Sequence, residues 1–326
     1  MINYNIGIQL TKNSEKYSGL ISDLQSKKNV NCFHISSDDI LKEQFSSLDI
    51  LATHSMNDKL FSFATDRLKW IHFGAAGIEN SLFPEILKSK TIITNSSGIH
   101  ADSVSEFVIA SMLYFSKQFK ECHTFYQNKE WTQWNIARKM QNLKGKTVGI
   151  IGYGSIGKAI GIRAKAFGMR VIGTRRLQKK IENKKTIDYL IPFSEIDFLL
   201  KESDYIVISC PLTPLTTGML GKNELSKMKK TSYLINIARG PIIDENSLIN
   251  KLENKQIAGA ALDVFDKEPL SNKSPFFKLD NVLLSPHISG NFPNYNKMVM
   301  DLFNDNFNRF KNGKALKNRV CKKRLY

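Results

Sequence analysis

The stretch Thr147–Lys158 restricts this chain more than any other. A short apolar run, Val148 to Ile151, reads as a buried parallel strand. Gly152, Gly154 and Gly157 follow it in G-x-G-x-x-G spacing, and a helical pattern then opens with Ile156, Ile160, Ala164 and Phe167 on one face. In such a strand–turn–helix unit the first glycine permits a tight turn off the strand. The second lets a pyrophosphate approach the backbone, and the third lets the helix lie close to the sheet. Free N–H groups at the positive end of the helix hold the anionic phosphates. The spacing alone would be weak, but the flanking strand and helix supply the context a dinucleotide needs. Gly152, Gly154, Ser155, Ile156 and Gly157 are the predicted phosphate cradle.

Around this unit the chain alternates short strands and helices. Strands are predicted at Tyr4–Leu10, Asn31–Ile35, Ile50–Thr53, Trp70–Phe73 and Thr91–Asn95, with a helix over Ser14–Ser26. After the glycine loop they recur at Met169–Gly173, Tyr205–Ser209, Tyr233–Ile237, Ala258–Leu262 and Val282–Leu284. Alternation of this kind implies parallel sheets, with ligands at the carboxyl ends of the strands. Asp102–Gln118 reads as a long buried helix, Lys129–Leu143 as a connecting arm, and Asn294–Phe310 as a last helix.

The 326 residues suit two domains. No apolar run approaches the ~20 residues a spanning helix needs, and the N-terminus lacks a secretory pattern. Cys32, Cys122, Cys210 and Cys321 have no metal-ligand spacing, so free thiols in a reducing cytoplasm and no metal are expected. A net charge of +17 would suit nucleic acid, but the basic residues are spread along the whole chain. Neither a nucleic acid nor a membrane partner is expected. The densest basic stretch, Arg309 to Arg324, reads as a solvated tail.

Three side chains fall just after predicted strands on the edge that carries the glycine loop: Arg239, Glu268 and His287. A guanidinium grips a carboxylate through two parallel hydrogen bonds and polarises a neighbouring carbonyl. An imidazole passes a proton near neutrality, and a paired carboxylate favours its protonated form and orients the ring. These groups suit reduction of a 2-oxo acid, with the hydride coming from the dinucleotide.

Several ordered motifs resemble the D-isomer-specific 2-hydroxyacid dehydrogenase family: Gly152–Gly157, Cys210-Pro211-Leu212-Thr213-Pro214-Leu215-Thr216, Asn236–Gly240, Ala260–Pro269 and Pro286-His287. The loop Gly74–Asn80 and the segment Thr94–His100 extend the likeness into the first hundred residues. The resemblance implies two doubly wound parallel-sheet domains, a Rossmann-type cofactor domain inserted into a flavodoxin-like substrate domain. The substrate-binding domain would be residues 1–98 plus 292–326, and the dinucleotide-binding domain 99–291. It implies Arg239, Glu268 and His287 as catalytic residues, and Asp263 as the residue that holds the nicotinamide amide. Cys210, Pro211, Thr216, Ile237 and Ala238 would line the cofactor. The loop Ala75, Ala76 and Gly77, with Arg239, would bind the substrate carboxylate. A homodimer is implied, as is a hinge whose closure excludes water. His54 is left open between a structural and a substrate-adjacent role, whereas His72, His100 and His123 read as structural.

One departure bears on the cofactor. An NAD site needs an acidic residue about 20 positions beyond the glycines. Here the strand ends in Thr174-Arg175-Arg176, Arg175 lies 18 residues after Gly157, and Glu182 is the first acidic residue after the loop. Guanidiniums and a hydroxyl suit a 2′-phosphate, so NADP(H) is the expected cofactor, with NAD(H) as the second choice. The expected activity is a cytoplasmic NADPH-preferring 2-oxo acid reductase, similar to the glyoxylate/hydroxypyruvate reductases, with the substrate left open among glyoxylate and hydroxypyruvate, pyruvate-like acids and bulky branched 2-oxo acids. The alternative is a catalytically weak, cofactor-sensing binding protein of the same fold, like the related corepressors.

Overall fold

The computed structural model describes residues 3–326. The chain forms two compact units, Met1–Ile99 with Phe292–Tyr326, and His100–Asn291.

The first unit is built on a parallel sheet of β1 (Tyr4–Gln9), β2 (Val30–His34), β3 (Ile50–Thr53), β4 (Trp70–Phe73) and β5 (Ile92–Asn95), in the order β2-β1-β3-β4-β5. This is the flavodoxin-like strand order. Its central strands alternate their burial between two cores. Leu51, Ile71, Phe73 and Ile93 face one side, packed with α2 (Asp38–Gln44), α3 (Asp58–Phe61) and α4 (Pro84–Lys88). Ile50, Ala52 and Trp70 face the other, packed with α1 (Ser18–Gln25) and the last helix, here α12 (Tyr295–Lys311). Phe303 of α12 stacks on Trp70 with ring centroids 5.0 Å apart. Each such large apolar side chain contributes about 1.5–3 kcal/mol on burial. The helix expected over Ser14–Ser26 divides into a 3₁₀ turn, Ser14–Tyr17, and α1.

Most Lys and Arg side chains of the basic tail are exposed, as expected, but the tail's backbone is docked on the sheet. Arg319 forms an antiparallel bridge to Thr94 at the open edge of β5, and the Val320 N–H donates to Ile93 O at 2.9 Å. Val320 is buried in the sheet's core, and the Lys322 ammonium donates to Ile86 O and Ser89 O at the end of α4. A cation placed on the last carbonyls of a helix is stabilising. Burial holds the Lys322 amine below its usual range.

The second unit is built on eight strands: β6 (Thr147–Ile151), β7 (Arg170–Arg175), β8 (Glu182–Lys184), β9 (Ile187–Pro192), β10 (Tyr205–Ile208), β11 (Tyr233–Asn236), β12 (Gly259–Leu262) and β13 (Val282–Leu284). Their order is β13-β12-β11-β10-β6-β7-β9-β8, all parallel except β8 against β9. Its helices are α5 (Ala101–Ser116), α6 (Phe119–Asn128), α7 (Gln133–Ala137), α8 (Ser155–Ala166), α9 (Ile196–Glu202), α10 (Lys222–Ser226) and α11 (Glu245–Glu253). The expected arm contains α7, and Tyr126, Trp131 and Trp134 on α6–α7 are largely exposed. The hairpin β8–β9 is absent from the sequence expectation. Its strand Ile187–Pro192 is buried only at Ile187, Leu190 and Ile191, which is neither an alternating nor a continuous apolar pattern. Phe167, expected on the buried face of α8, caps its end and is exposed. No helix among the described residues is long and apolar enough to cross a membrane.

Candidate active site

The glycine loop requires glycine at two of its positions. Gly152 has φ +99°, and a Cβ there would stand 2.6 Å from the Cys210 backbone nitrogen. Only glycine meets both demands. A Cβ on Gly157 would stand 2.5 Å from Gly152 O, so α8 can start this close to β6 only with hydrogen at that position. Gly154 faces open space, and Ser155, Ile156 and Gly157 open α8, whose first N–H groups lack intrahelical partners as at every helix start. This backbone fits the pyrophosphate of a dinucleotide.

The other predicted cofactor residues surround that loop or follow the neighbouring strands. Thr174 is buried, and its hydroxyl accepts the Gly152 N–H at 3.3 Å, so it braces the loop. Arg175 and Arg176 are exposed at the end of β7. Glu182 bonds Lys184 at 2.7 Å, and that bond, more than the nearby Arg175 charge, holds its carboxyl below the usual range. Burial pushes the Cys210 thiol up to about 12, so it stays a neutral thiol near pH 7. The Thr216 hydroxyl donates to Pro211 O at 2.8 Å and closes the turn after β10. Ile237 and Ala238 are buried beyond β11.

The adjacent parallel strands β11, β12 and β13 deliver the three catalytic candidates and Asp263 to the carboxyl edge of the sheet. Arg239 follows β11, where the Asn236 side chain closes the turn by donating to Arg239 O and accepting the Ala238 N–H. Its own guanidinium donates to Ala238 O at 2.7 Å. Asp263 follows β12 and is buried. One of its carboxylate oxygens accepts the Ser285 hydroxyl at 2.6 Å and the Ile288 N–H at 2.9 Å, and the other accepts the Ser289 N–H at 3.0 Å. The Asp263 carboxylate thus holds the turn around His287, whose own N–H donates to Asp263 O. His287 has φ +55°, in the left-handed region that a side-chain-bearing residue enters only when its surroundings hold it there.

His287 Nδ1 lies 2.8 Å from Glu268 Oε2, and Glu268 Oε1 accepts the Phe265 N–H at 3.0 Å. The carboxylate is anchored at one oxygen and orients the imidazole with the other. Glu268 and His287 are therefore brought together directly, and Arg239 stands beyond a neighbouring strand of the same sheet. β6 and β13 are four positions apart in the strand order, about 19 Å at the usual strand spacing. The sequence expectation lacks the bracing roles of Asn236, Thr174 and Ser285, whose side chains act on backbone turns and form no spaced motif.

In the first unit, Ala75, Ala76 and Gly77 follow β4. His54 follows β3, and its ring stacks on Tyr295 with centroids 6.3 Å apart. Burial holds His54 below the usual imidazole range. His72 is fully buried between Thr94 and Ser96. Among the described residues no cluster of three or more His, Cys, Asp or Glu side chains could hold a metal.

Known proteins are similar to this chain in sequence and fold. The sequence profile of the D-isomer specific 2-hydroxyacid dehydrogenase NAD binding domain matches residues 109–289. The glyoxylate reductase of Thermococcus litoralis is 35% identical over 291 residues, covering 87% of this chain and 86% of that one. That of Thermofilum pendens is 37% identical over 231 residues, covering 69% and 67%. A D-isomer specific 2-hydroxyacid dehydrogenase family protein from Aeromonas salmonicida superposes with TM-score 0.84 at 25% identity, covering 98% of this chain and 99% of that one. In fold, the NADPH-dependent glyoxylate/hydroxypyruvate reductase of Sinorhizobium meliloti, solved with NADP and sulfate, superposes with TM-score 0.85 at 23% identity, covering 99% and 100%. With the glycine loop, the strand-end Arg, Glu and His, and matches over most of its length, the chain belongs to the D-isomer specific 2-hydroxyacid dehydrogenase family.

Proposed function

We propose that this dehydrogenase works as an NADPH-preferring reductase of small 2-oxo acids of the glyoxylate and hydroxypyruvate class, forming the D-2-hydroxy acid. The observation that carries the reading is the His287–Glu268 pair, bonded at 2.8 Å on a turn held in a left-handed backbone conformation. The names of its relatives in Thermococcus and Thermofilum favour glyoxylate as the first substrate to try.

Gly152, Gly154 and the start of α8 would hold the cofactor's pyrophosphate, and the exposed Arg175 and Arg176 would meet a 2′-phosphate. The bound cofactor supplies the hydride. Arg239 binds the substrate carboxylate and polarises the ketone. His287 holds a proton on Nε2 and delivers it to the ketone oxygen, which becomes the hydroxyl. Glu268 accepts a hydrogen bond from Nδ1 of the same ring and orients it for the transfer. The N–H groups of Ala75, Ala76 and Gly77 offer a second carboxylate site in the first unit. The exposed aromatic side chains of the α6–α7 arm favour a homodimer.

The test is oxidation of NADPH and of NADH with a panel of 2-oxo acids. Turnover with glyoxylate and a higher kcat/KM with NADPH are expected. Equal or NADH-favouring values overturn the cofactor preference. Tight NADPH binding without turnover of any acid replaces the enzyme with a cofactor-sensing binding protein. His287→Ala should lower kcat about 10²–10⁴-fold with NADPH affinity intact. Undiminished turnover in that variant removes the mechanism.

A further inference from the structure

Between Gly74 and Ile78 the chain holds its backbone from the outside. The Gly74 N–H continues the sheet by donating to Thr53 O at 2.8 Å. The next three carbonyls are then all bonded to the scaffold. Gly74 O accepts the Tyr295 hydroxyl at 2.5 Å, Ala75 O accepts the Ser96 N–H at 3.0 Å, and Ala76 O accepts Asn95 Nδ2 at 2.7 Å. In a trans peptide the carbonyl and the following N–H point in opposite directions. Turning the carbonyls of residues 74, 75 and 76 toward the scaffold therefore turns the N–H groups of Ala75, Ala76 and Gly77 away from it. Among the described residues none of these N–H groups has a protein acceptor. Successive N–H groups held in this way form an anion receptor, and its affinity depends on how firmly they are held before the anion arrives.

Of these pins, the Tyr295 hydroxyl comes from farthest along the chain, 221 residues from Gly74. Tyr295 is the first residue of α12, and its ring lies nearly parallel to that of His54, at 16°. A Cβ on Gly74 would stand 2.8 Å from His54 Cε1, so the absence of a side chain there lets His54 sit against the loop. The neighbouring Asn296 is fixed in turn by the Tyr17 hydroxyl at 3.0 Å. The start of α12 is thus clamped on both sides, and the hydroxyl is delivered to Gly74 O. Burial raises the Tyr295 phenol, which keeps it a donor throughout the neutral range.

We propose that Tyr295 is a positioning residue for the substrate carboxylate: its hydroxyl fixes the first peptide of the Gly74–Ile78 loop so that the loop's N–H groups are preset to receive the acid. The identity of the anion rests on the reductase reading; the pinned loop does not.

Tyr295→Phe keeps the ring and its stack on His54 and deletes only the hydroxyl. Calorimetric titration with oxamate, a carboxylate that is not reduced, reads the loop without requiring turnover. Loss of one hydrogen bond should weaken oxamate about five- to tenfold, and raise the glyoxylate KM by the same factor. The NADPH dissociation constant, kcat at saturating glyoxylate and the thermal midpoint should stay close to wild type. Equal oxamate affinity in the two proteins overturns the assignment, as does failure of the wild type to bind oxamate. Parallel loss of oxamate and NADPH binding with a lowered thermal midpoint also overturns it, because scaffold damage is not selective. A wild type that binds oxamate more tightly than the variant but reduces no 2-oxo acid supports the pinned loop and overturns only the reductase reading.

Discussion

The loops after β4 and β6 are held in shape by different means. Each follows the carboxyl end of an interior strand, and each presents N–H groups suited to an anion. The Gly152–Gly157 loop is braced from Thr174 and Ser209, but its path depends on its own glycines: a positive φ at Gly152 and close packing at Gly157. The Gly74–Ile78 loop gets its shape from hydrogen bonds supplied 19 residues away by Asn95 and 221 residues away by Tyr295. The first kind of constraint is written locally as glycine spacing. The second is spread over the chain and leaves no local pattern.

The sharpest way to break this comparison is Gly152→Ala. The added methyl meets the Cys210 backbone and sits on a left-handed residue, so the loop must shift. NADPH affinity should fall at least about 100-fold, near 3 kcal/mol, as read by fluorescence titration. Oxamate binding should change little. If both ligands lose affinity equally, the two loops are not independently built.

The same contrast explains what the sequence discloses. Arg239, Glu268 and His287 stand out because each follows an apolar strand, and parallel strands bring their ends to one edge. The forces aiming them do not stand out. The resemblance implies a cofactor contact for Asp263 but not that its carboxylate oxygens take the Ser285 hydroxyl and two N–H groups of the His287 turn. Those are backbone bonds closed by folding, with no side-chain spacing to betray them. The docking of the tail is hidden for a related reason. Most of its Lys and Arg residues do face solvent, but Val320 and the Lys322 ammonium satisfy a sheet core and helix carbonyls that the tail's own composition does not reveal.

A second difference lies beneath the loops. The glycine loop rests on β6, which is apolar at Val148, Ile150 and Ile151. The Gly74–Ile78 loop rests on a polar chain. Trp70 Nε1 donates to Thr94 Oγ1, which contacts His72 Nδ1; His72 Nε2 contacts Ser96 Oγ, which donates to Phe73 O. With the Trp70 and Ser96 donors spoken for, the chain closes when Thr94 donates to Nδ1 and the neutral ring donates from Nε2. Burial, chiefly, pushes His72 down to about 3. Its folded pKa lies below its unfolded value of about 6.5, so the stability it contributes is complete above that value and is lost as pH falls. Between pH 7 and pH 5 the first unit should lose roughly 2 kcal/mol from His72 alone. His54, also lowered by burial, adds in the same direction. Urea unfolding followed by tryptophan emission reads this unit, because Trp70 is 0% exposed whereas Trp131 and Trp134 are 80% and 67% exposed. His72→Gln should flatten the pH dependence. An unchanged slope in that variant would assign the acid sensitivity to other groups.

The smallest effect sharpens the comparison most. Asn95 holds two points of the β4 loop system: its amide donates to Ala76 O, and its side-chain oxygen accepts the Ser97 N–H at 3.2 Å. Asn95→Ala removes both bonds but leaves the backbone pairing of Asn95 N–H with Asn318 O. The glyoxylate KM should rise about fivefold, near 1 kcal/mol, with kcat and NADPH affinity little changed. Combined with Tyr295→Phe, the two losses should total less than their sum by about 0.5 kcal/mol or more. Once one pin is gone the loop is already mobile, and releasing the second frees less. Strict additivity would mean that each carbonyl is held separately, and that the loop is a row of independent peptides rather than one preset receptor. The Gly152–Gly157 loop, which shares no pin with the Gly74–Ile78 loop, should show no coupling to either variant.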